Sequence, residues 1–224
     1  MGNILKPYLI TKLDLSKEDL LELPSFECYH NLQKLNCSSN YKLKTLKKLP
    51  NTLKELICNN CPLSSLDKLP NKLQKLECIG NIITSLDYLP PNLKILRCKA
   101  NRITSLDYLP HTLKILNCRQ NRITKLDNLP PYLEQLDCRQ NKITTLDNLP
   151  ASLKILYCDA NKITNLNYLP LKLQKLSSIE NDINSFNFIT TDLITMRNVN
   201  FPYIKKLIIN KHIVYKEIIN QQNR

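Results

Sequence analysis

Leucine-proline pairs fall at Leu49-Pro50, Leu69-Pro70, Leu89-Pro90, Leu109-Pro110, Leu129-Pro130, Leu149-Pro150 and Leu169-Pro170, one every twenty residues. A strict period of this length restricts a chain to stacked units. Each unit is too short to bury its own apolar side chains, so it must share a core with its neighbours. Cysteine keeps the same step at Cys58, Cys78, Cys98, Cys118, Cys138 and Cys158, and asparagine follows three residues later at Asn81, Asn101, Asn121, Asn141, Asn161 and Asn181. One unit reads L-x-x-L-x-C-x-x-N-x-I-T-x-L-D-x-L-P-x-x, most clearly from Leu93 to Thr112. With the first leucine as position one, cysteine is sixth, asparagine ninth and proline eighteenth.

Eight copies begin at Leu32, Leu53, Leu73, Leu93, Leu113, Leu133, Leu153 and Leu173, the first carrying an extra residue near Tyr41. The ends decay: Ile10, Leu13, Leu15, Leu20 and Leu23 fit a degenerate earlier turn, and Leu193 and Met196 keep the period without the Cys and Asn. The expected organisation is an N-terminal cap over 1–31, repeats over 32–192, and a degenerate repeat with a C-terminal cap over 193–224. Worn terminal copies are what a stack needs to cover its open ends.

The string L-x-x-L-x-C-x-x-N-x-I-x-x-L resembles the leucine-rich-repeat consensus, and the Leu-Pro before each new unit is similar to the short repeats of secreted bacterial effectors. The resemblance runs from about residue 10 to 201. It implies a leucine-rich-repeat solenoid of the α/β-horseshoe class, mostly β, with a parallel sheet on the concave face, an extended, polyproline-like convex side and little helix. It also implies a protein-binding module rather than an enzyme. No effector-type ubiquitin-ligase domain is expected after the repeats. The Asn-, Ile- and Lys-rich composition is similar to that of proteins from giant viruses of amoebae.

The residues themselves argue the same way. Leucine four and cysteine six alternate with variable positions three, five and seven, the period of a strand with one buried face. Proline eighteen cannot donate to a ladder and holds the preceding leucine extended. The asparagine is expected to bond free backbone groups of its own and adjacent turns. The nine cysteines would ordinarily raise disulfides or metal, but their period makes them a reduced apolar ladder. Cys58-x-x-Cys61 has the spacing of a redox or zinc pair, yet Cys61 occupies an asparagine slot. Cys37, Cys58, Cys61 and Cys78 are the one conceivable zinc set, and no metal or cofactor is expected. With two glycines, phosphate-cradling loops are absent. His30, His111 and His212 are too scattered for catalysis. Asp67, Asp87, Asp107, Asp127 and Asp147 form a second ladder, read as turn chemistry with nearby backbone amides.

Function is then expected in the variable strand positions. Ile95, Ile115, Ile155 and Tyr157, with Arg97, Lys99, Arg119 and Arg139 beside them, have the composition of an interface core. Asn117, Asp137 and Asp159 complete the candidate partner-binding set. Arg102, Arg122, Lys142 and Lys162, just after the asparagine, make a basic rim. Residues 32–181 hold 23 Lys or Arg against 11 Asp or Glu, so +12 of the chain's +13 lies in the repeats. An acidic protein partner is the expectation; nucleic acid or another polyanion is the alternative, with too few strand-face aromatics to stack bases. Short apolar runs predict neither a signal peptide nor a membrane span. Met1-Gly2 lacks the Ser or Thr of a myristoylation motif at Lys6. A monomeric, cytoplasmic, non-secreted protein is expected.

Overall fold

The computed structural model describes residues 6–185 and the strand Thr195–Arg197. Ten parallel strands stack in chain order as one sheet: β1 (Lys12–Asp14), β2 (Lys34–Asn36), β3 (Glu55–Ile57), β4 (Lys75–Glu77), β5 (Ile95–Arg97), β6 (Ile115–Asn117), β7 (Gln135–Asp137), β8 (Ile155–Tyr157), β9 (Lys175–Ser177) and β10 (Thr195–Arg197). Equivalent repeat positions pair throughout, as in Ile95 with Ile115 and Leu96 with Leu116. The extra residue near Tyr41 follows β2, so Leu35 still pairs with Leu56. Among the described residues the only helical element is a 3-10 turn, Pro7–Leu9, and no helix is long and apolar enough to cross a membrane.

The alternation at positions four and six drives the strands. Leu96, Cys98, Leu116 and Cys118 are fully or almost fully buried, while positions three and five of β2–β8 face outward and are half-buried or exposed. Backbone pairing runs past the three-residue strands: Cys78 N–H donates to Arg97 O (2.8 Å) and Gly80 N–H to Lys99 O (2.9 Å). Position eight then leaves the strand in the left-handed region on every turn. Ser39, Asn60, Gly80, Ala100, Gln120, Gln140, Ala160 and Glu180 have φ between 54° and 69°. Only one of these is glycine, so seven turns accept a backbone conformation that an L side chain disfavours by roughly 1–2 kcal/mol.

The left-handed residue places the asparagine under the core. Asn101 Nδ2 donates to Cys98 O (3.0 Å) on its own turn and Cys78 O (2.9 Å) on the turn before, and its Oδ1 accepts from Ile83 N–H (3.0 Å). The same three bonds recur at Asn81, Asn121, Asn141, Asn161 and Asn181, with Ser178 O replacing a cysteine carbonyl at the last. Asn40, unremarked in the sequence because of the inserted residue, belongs to the ladder. It is fully buried and bonds Leu15 O, Cys37 O and Leu20 N–H.

Cys61 breaks the ladder for a local reason. A thiol at the ninth position gives weak bonds to Cys37 O and Asn59 O but does not accept the previous turn's N–H. That N–H belongs to Leu43, and the inserted residue lets it close a turn onto Asn40 O instead (3.0 Å). The first repeat has no orphan donor, so the second tolerates cysteine.

Proline eighteen opens the turn that returns the chain to the sheet. Its carbonyl accepts from the N–H of the next leucine one, as in Leu73 to Pro70 (3.0 Å) and Leu113 to Pro110 (3.0 Å). The fixed φ of proline and its missing donor suit the start of such a turn. The expected 1–31 cap supplies the 3-10 turn and β1, which pairs with β2. The expected degenerate repeat and cap over 193–224, including His212, lie outside the described residues except for β10.

Candidate functional site

Side chains at positions three, five and seven of β2–β9 form a grid whose neighbours are set by the register. On its N-terminal half the charges pair across strands and, within β4, along one. Lys34 Nζ lies 3.2 Å from Glu55, Glu55 2.6 Å from Lys75, Lys75 3.1 Å from Glu77, and Glu77 2.7 Å from Arg97. Burial opposes the charge of Glu55, but its bonds to Lys75 and Lys34 outweigh that and hold its carboxyl below the ordinary glutamate range. The bond to Glu55 holds Lys75 up. Sequence reading passed over this five-member chain because each column was read alone. Reading adjacent turns side by side shows the alternating signs.

Beyond the chain, Ile95 and Ile115 are register partners on β5 and β6, both half-buried. Ile155 is not beside them, since exposed Gln135 intervenes on β7. In the central column Arg97, Asn117, Asp137 and Tyr157 stand on successive strands.

The arginines of the expected patch differ from one another. Arg97 is exposed and tied to Glu77. Arg139 grips Asp137 through Nε (2.8 Å) and Nη2 (2.7 Å), and this bond raises its already high pKa. Its guanidinium carbon also lies 5.1 Å from the centre of the Tyr157 ring, while Lys175 Nζ is 5.3 Å from the same centre. Arg119 bonds the neutral Gln140 (2.8 Å). Asp159 accepts from Ser177 Oγ (2.6 Å) and Ile179 N–H (2.7 Å) on the next turn. Lys99 has no carboxylate partner among the described residues.

Over β2–β9 the grid holds seven cations and four carboxylates, an excess of three. Most of the excess charge of the repeats therefore lies off the face. Arg102, Arg122, Lys142 and Lys162 carry part of it, exposed on four successive turns. Their backbones are locked in equivalent places by N–H bonds to the isoleucine carbonyl of the preceding turn, from Arg102 to Ile83 O (2.9 Å) through Lys162 to Ile143 O (2.9 Å).

The other candidates resolve as follows. Cys37, Cys58, Cys61, Cys78, Cys98, Cys118, Cys138 and Cys158 are buried free thiols, and Cys28 is exposed. Burial pushes Cys37 and Cys78 up to about 12 and the rest of the sixth-position thiols well above their ordinary value. Several donate weakly to the next turn's carbonyl, as Cys98 Sγ does to Asn117 O (3.5 Å). Among the described residues no group of three or more His, Cys, Asp or Glu is arranged to hold a metal. Three of the five outer aspartates bond side chains rather than the expected backbone amides. Asp67 and Asp107 accept from the serine two residues earlier, and Asp127 accepts from Asn148 Nδ2 (2.8 Å) on the next turn. A shallow, open depression lies over Lys12, Leu13, Asp14, Lys34, Asn36 and Ile57, away from the central strands.

This architecture defines a leucine-rich-repeat solenoid with short repeats of the effector type. The chain is 30% identical to YopM from Yersinia enterocolitica WA-314 over 80% of its length and 48% of that protein's, with a TM-score of 0.57. It is 29% identical to YopM, a leucine-rich effector protein from Yersinia pestis, over 80% of this chain and 57% of that one, with a TM-score of 0.71. The functional domain of InlJ from Listeria monocytogenes, which includes a cysteine ladder, matches at 25% identity over 80% of this chain and 46% of that one, with a TM-score of 0.59. The chain thus spans about half the length of these proteins. No family model matches it, and no curated protein sequence does. The likeness to the leucine-rich effector protein points to a protein-interaction module.

Proposed function

We propose that this solenoid is a non-enzymatic module that seats an acidic protein partner on the sheet face over β5–β8. One observation carries the reading: Ile95 and Ile115 stand side by side on adjacent strands, facing outward and only half-buried. The Glu77–Arg97 pair lies on one side of them and the Asp137–Arg139–Tyr157 cluster on the other. An apolar centre ringed by fixed, already paired arginines costs little side-chain entropy on docking and excludes water well. The eight buried free thiols support residence in a reducing compartment such as the cytoplasm.

The test compares proteins captured by the wild-type chain with those captured by an Ile95→Ser/Ile115→Ser variant whose melting temperature is close to wild type. A protein retained by the first bait and lost from the second supports the seat. Identical captures from both would remove it.

A further inference from the structure

We infer that the row Arg102, Arg122, Lys142 and Lys162, with Lys99 and Arg119 behind it, is a separate binding strip for an extended acidic peptide lying across the turns. The inference rests on the protein-binding reading above and deepens it: the face supplies the apolar seat, and the rim supplies the recognition of acid.

Three observations carry it. First, these six cations are uncompensated. Of the other five face cations, Lys34, Lys75, Arg97 and Arg139 are paired with carboxylates and Lys175 lies over the Tyr157 ring, whereas among the described residues none of the six has a carboxylate within ion-pair distance. Like charges on successive rungs, about 4.8 Å apart, repel one another, and a ligand that neutralises them gains that repulsion back.

Second, the strip has ends. On the turn before Arg102 the equivalent seventh, eighth and tenth positions are Ile79, Gly80 and Ile82, the last exposed. On the turn after Lys162 they are Ile179, Glu180 and Asp182, the last two exposed. The cationic stretch is therefore four rungs long, roughly 14 Å from first to last, bounded by an apolar turn and an acidic one. Its occupant should be apolar beside Ile82, acidic through the middle and basic beside Asp182. At roughly 3.3 Å per extended residue, about five residues cover the charged part.

Third, the geometry disfavours a nucleic acid strand. Tyr157 is the one aromatic ring at positions three, five and seven of β2–β9, and Arg139 and Lys175 already lie over it. No ring on that face is left to stack a base, which single-strand binders rely on for about 1–3 kcal/mol per base.

The experiment measures fluorescence anisotropy of a labelled oligoglutamate, of about five to eight residues, on the full chain over a salt titration. An oligothymidylate of equal charge is the second probe. Wild type is expected to bind oligoglutamate, more weakly as salt rises. A rim variant (R102E, R122E, K142E, K162E) with unchanged melting temperature should bind at least roughly tenfold more weakly, and the Ile95→Ser/Ile115→Ser face variant should bind as wild type does. Absence of oligoglutamate binding at low salt would overturn the inference, as would equal binding by the rim variant. Tighter, rim-dependent binding of oligothymidylate would overturn it in favour of a nucleic acid strand. Should the quadruple reversal unfold, the two pairs R102E/R122E and K142E/K162E are read separately, each expected to weaken binding several-fold. In the capture experiment above, loss of the partner from the face variant but not the rim variant would sink the strip and leave the seat standing.

Discussion

Asn121 reaches back one full turn to Cys98, its Nδ2 donating to the Cys98 carbonyl at 3.0 Å while its Oδ1 accepts the Ile103 N–H at 3.0 Å. A single side chain thus closes a donor and two acceptors in the core, since it also serves Cys118 O (2.9 Å). Replacing Asn121 by alanine strands the Ile103 N–H where water does not reach and takes one of two donors from each carbonyl, Asn101 still serving Cys98 O and Asn141 still serving Cys118 O. The expected cost is ~1–3 kcal/mol, read as a lower urea midpoint. Asn121→Asp should cost at least as much, because a carboxylate accepts but cannot give the two bonds to carbonyls. A midpoint unchanged by alanine would show that the ladder is decoration on a fold held by leucine alone.

That ladder was legible as a column of asparagines, and its bonding followed from the need to satisfy buried backbone groups. The strands, their register and the buried thiols were legible for the same reason: a fixed period leaves one way to stack. The details that escaped are those where the period slips or where two columns interact. Asn40 is displaced by the inserted residue, and Leu43 then finds a local acceptor that no consensus contains. Arg97 and Arg139 looked like free anchors when each column was read downward. Their partners, Glu77 and Asp137, lie across the turn or two residues back, and side-chain rotamers rather than spacing decide such pairs.

Position eight predicts a stabilising change. Gln120 is exposed and has a φ of 57°, so Gln120→Gly removes the left-handed penalty at the modest cost of greater freedom in the unfolded chain. A gain of up to about 1 kcal/mol is expected, seen as a higher melting temperature. Gly80→Ala is expected to move the other way by a similar amount. It sits at φ 69°, and a Cβ there would press on Asn60 Oδ1. Stabilisation by the alanine would contradict the left-handed turn.

The charge chain on β2–β5 predicts an asymmetry between two ends of one ion pair. Glu77 has 14% side-chain exposure and holds both Lys75 and Arg97, whereas Arg97 is 44% exposed and holds only Glu77. Glu77→Ala removes two contacts from a partly shielded site and should cost ~1 kcal/mol. Arg97→Ala leaves Glu77 with Lys75 and should cost a few tenths at most, as for exposed pairs generally. High salt should shrink the first difference. Equal costs for the two variants would mean that the chain is not coupled through Glu77.

The buried thiols set the alkaline limit of the fold. Cys37 and Cys78 are pushed up to about 12 and five further thiols well above their ordinary value, burial being the first cause in each. In the unfolded chain a thiol ionises near ~8.5. The folded pKa is raised above the unfolded one, so the stabilisation is complete below about pH 8.5. It is lost as pH climbs from there through the folded values, because the unfolded chain holds fewer protons than the native one. Each thiol contributes up to ~1.4 kcal/mol per pH unit across that window. Seven acting together should drop the melting temperature steeply between about pH 8 and 9.5 under reducing conditions. Cys28, the one exposed thiol, should by the same logic be the only one of nine to react at once with a disulfide reagent at neutral pH, the other eight waiting for unfolding. Prompt reaction of several thiols, or a flat alkaline profile, would show that the sixth position of the repeat is open to solvent and that the sheet is not backed by the core described here.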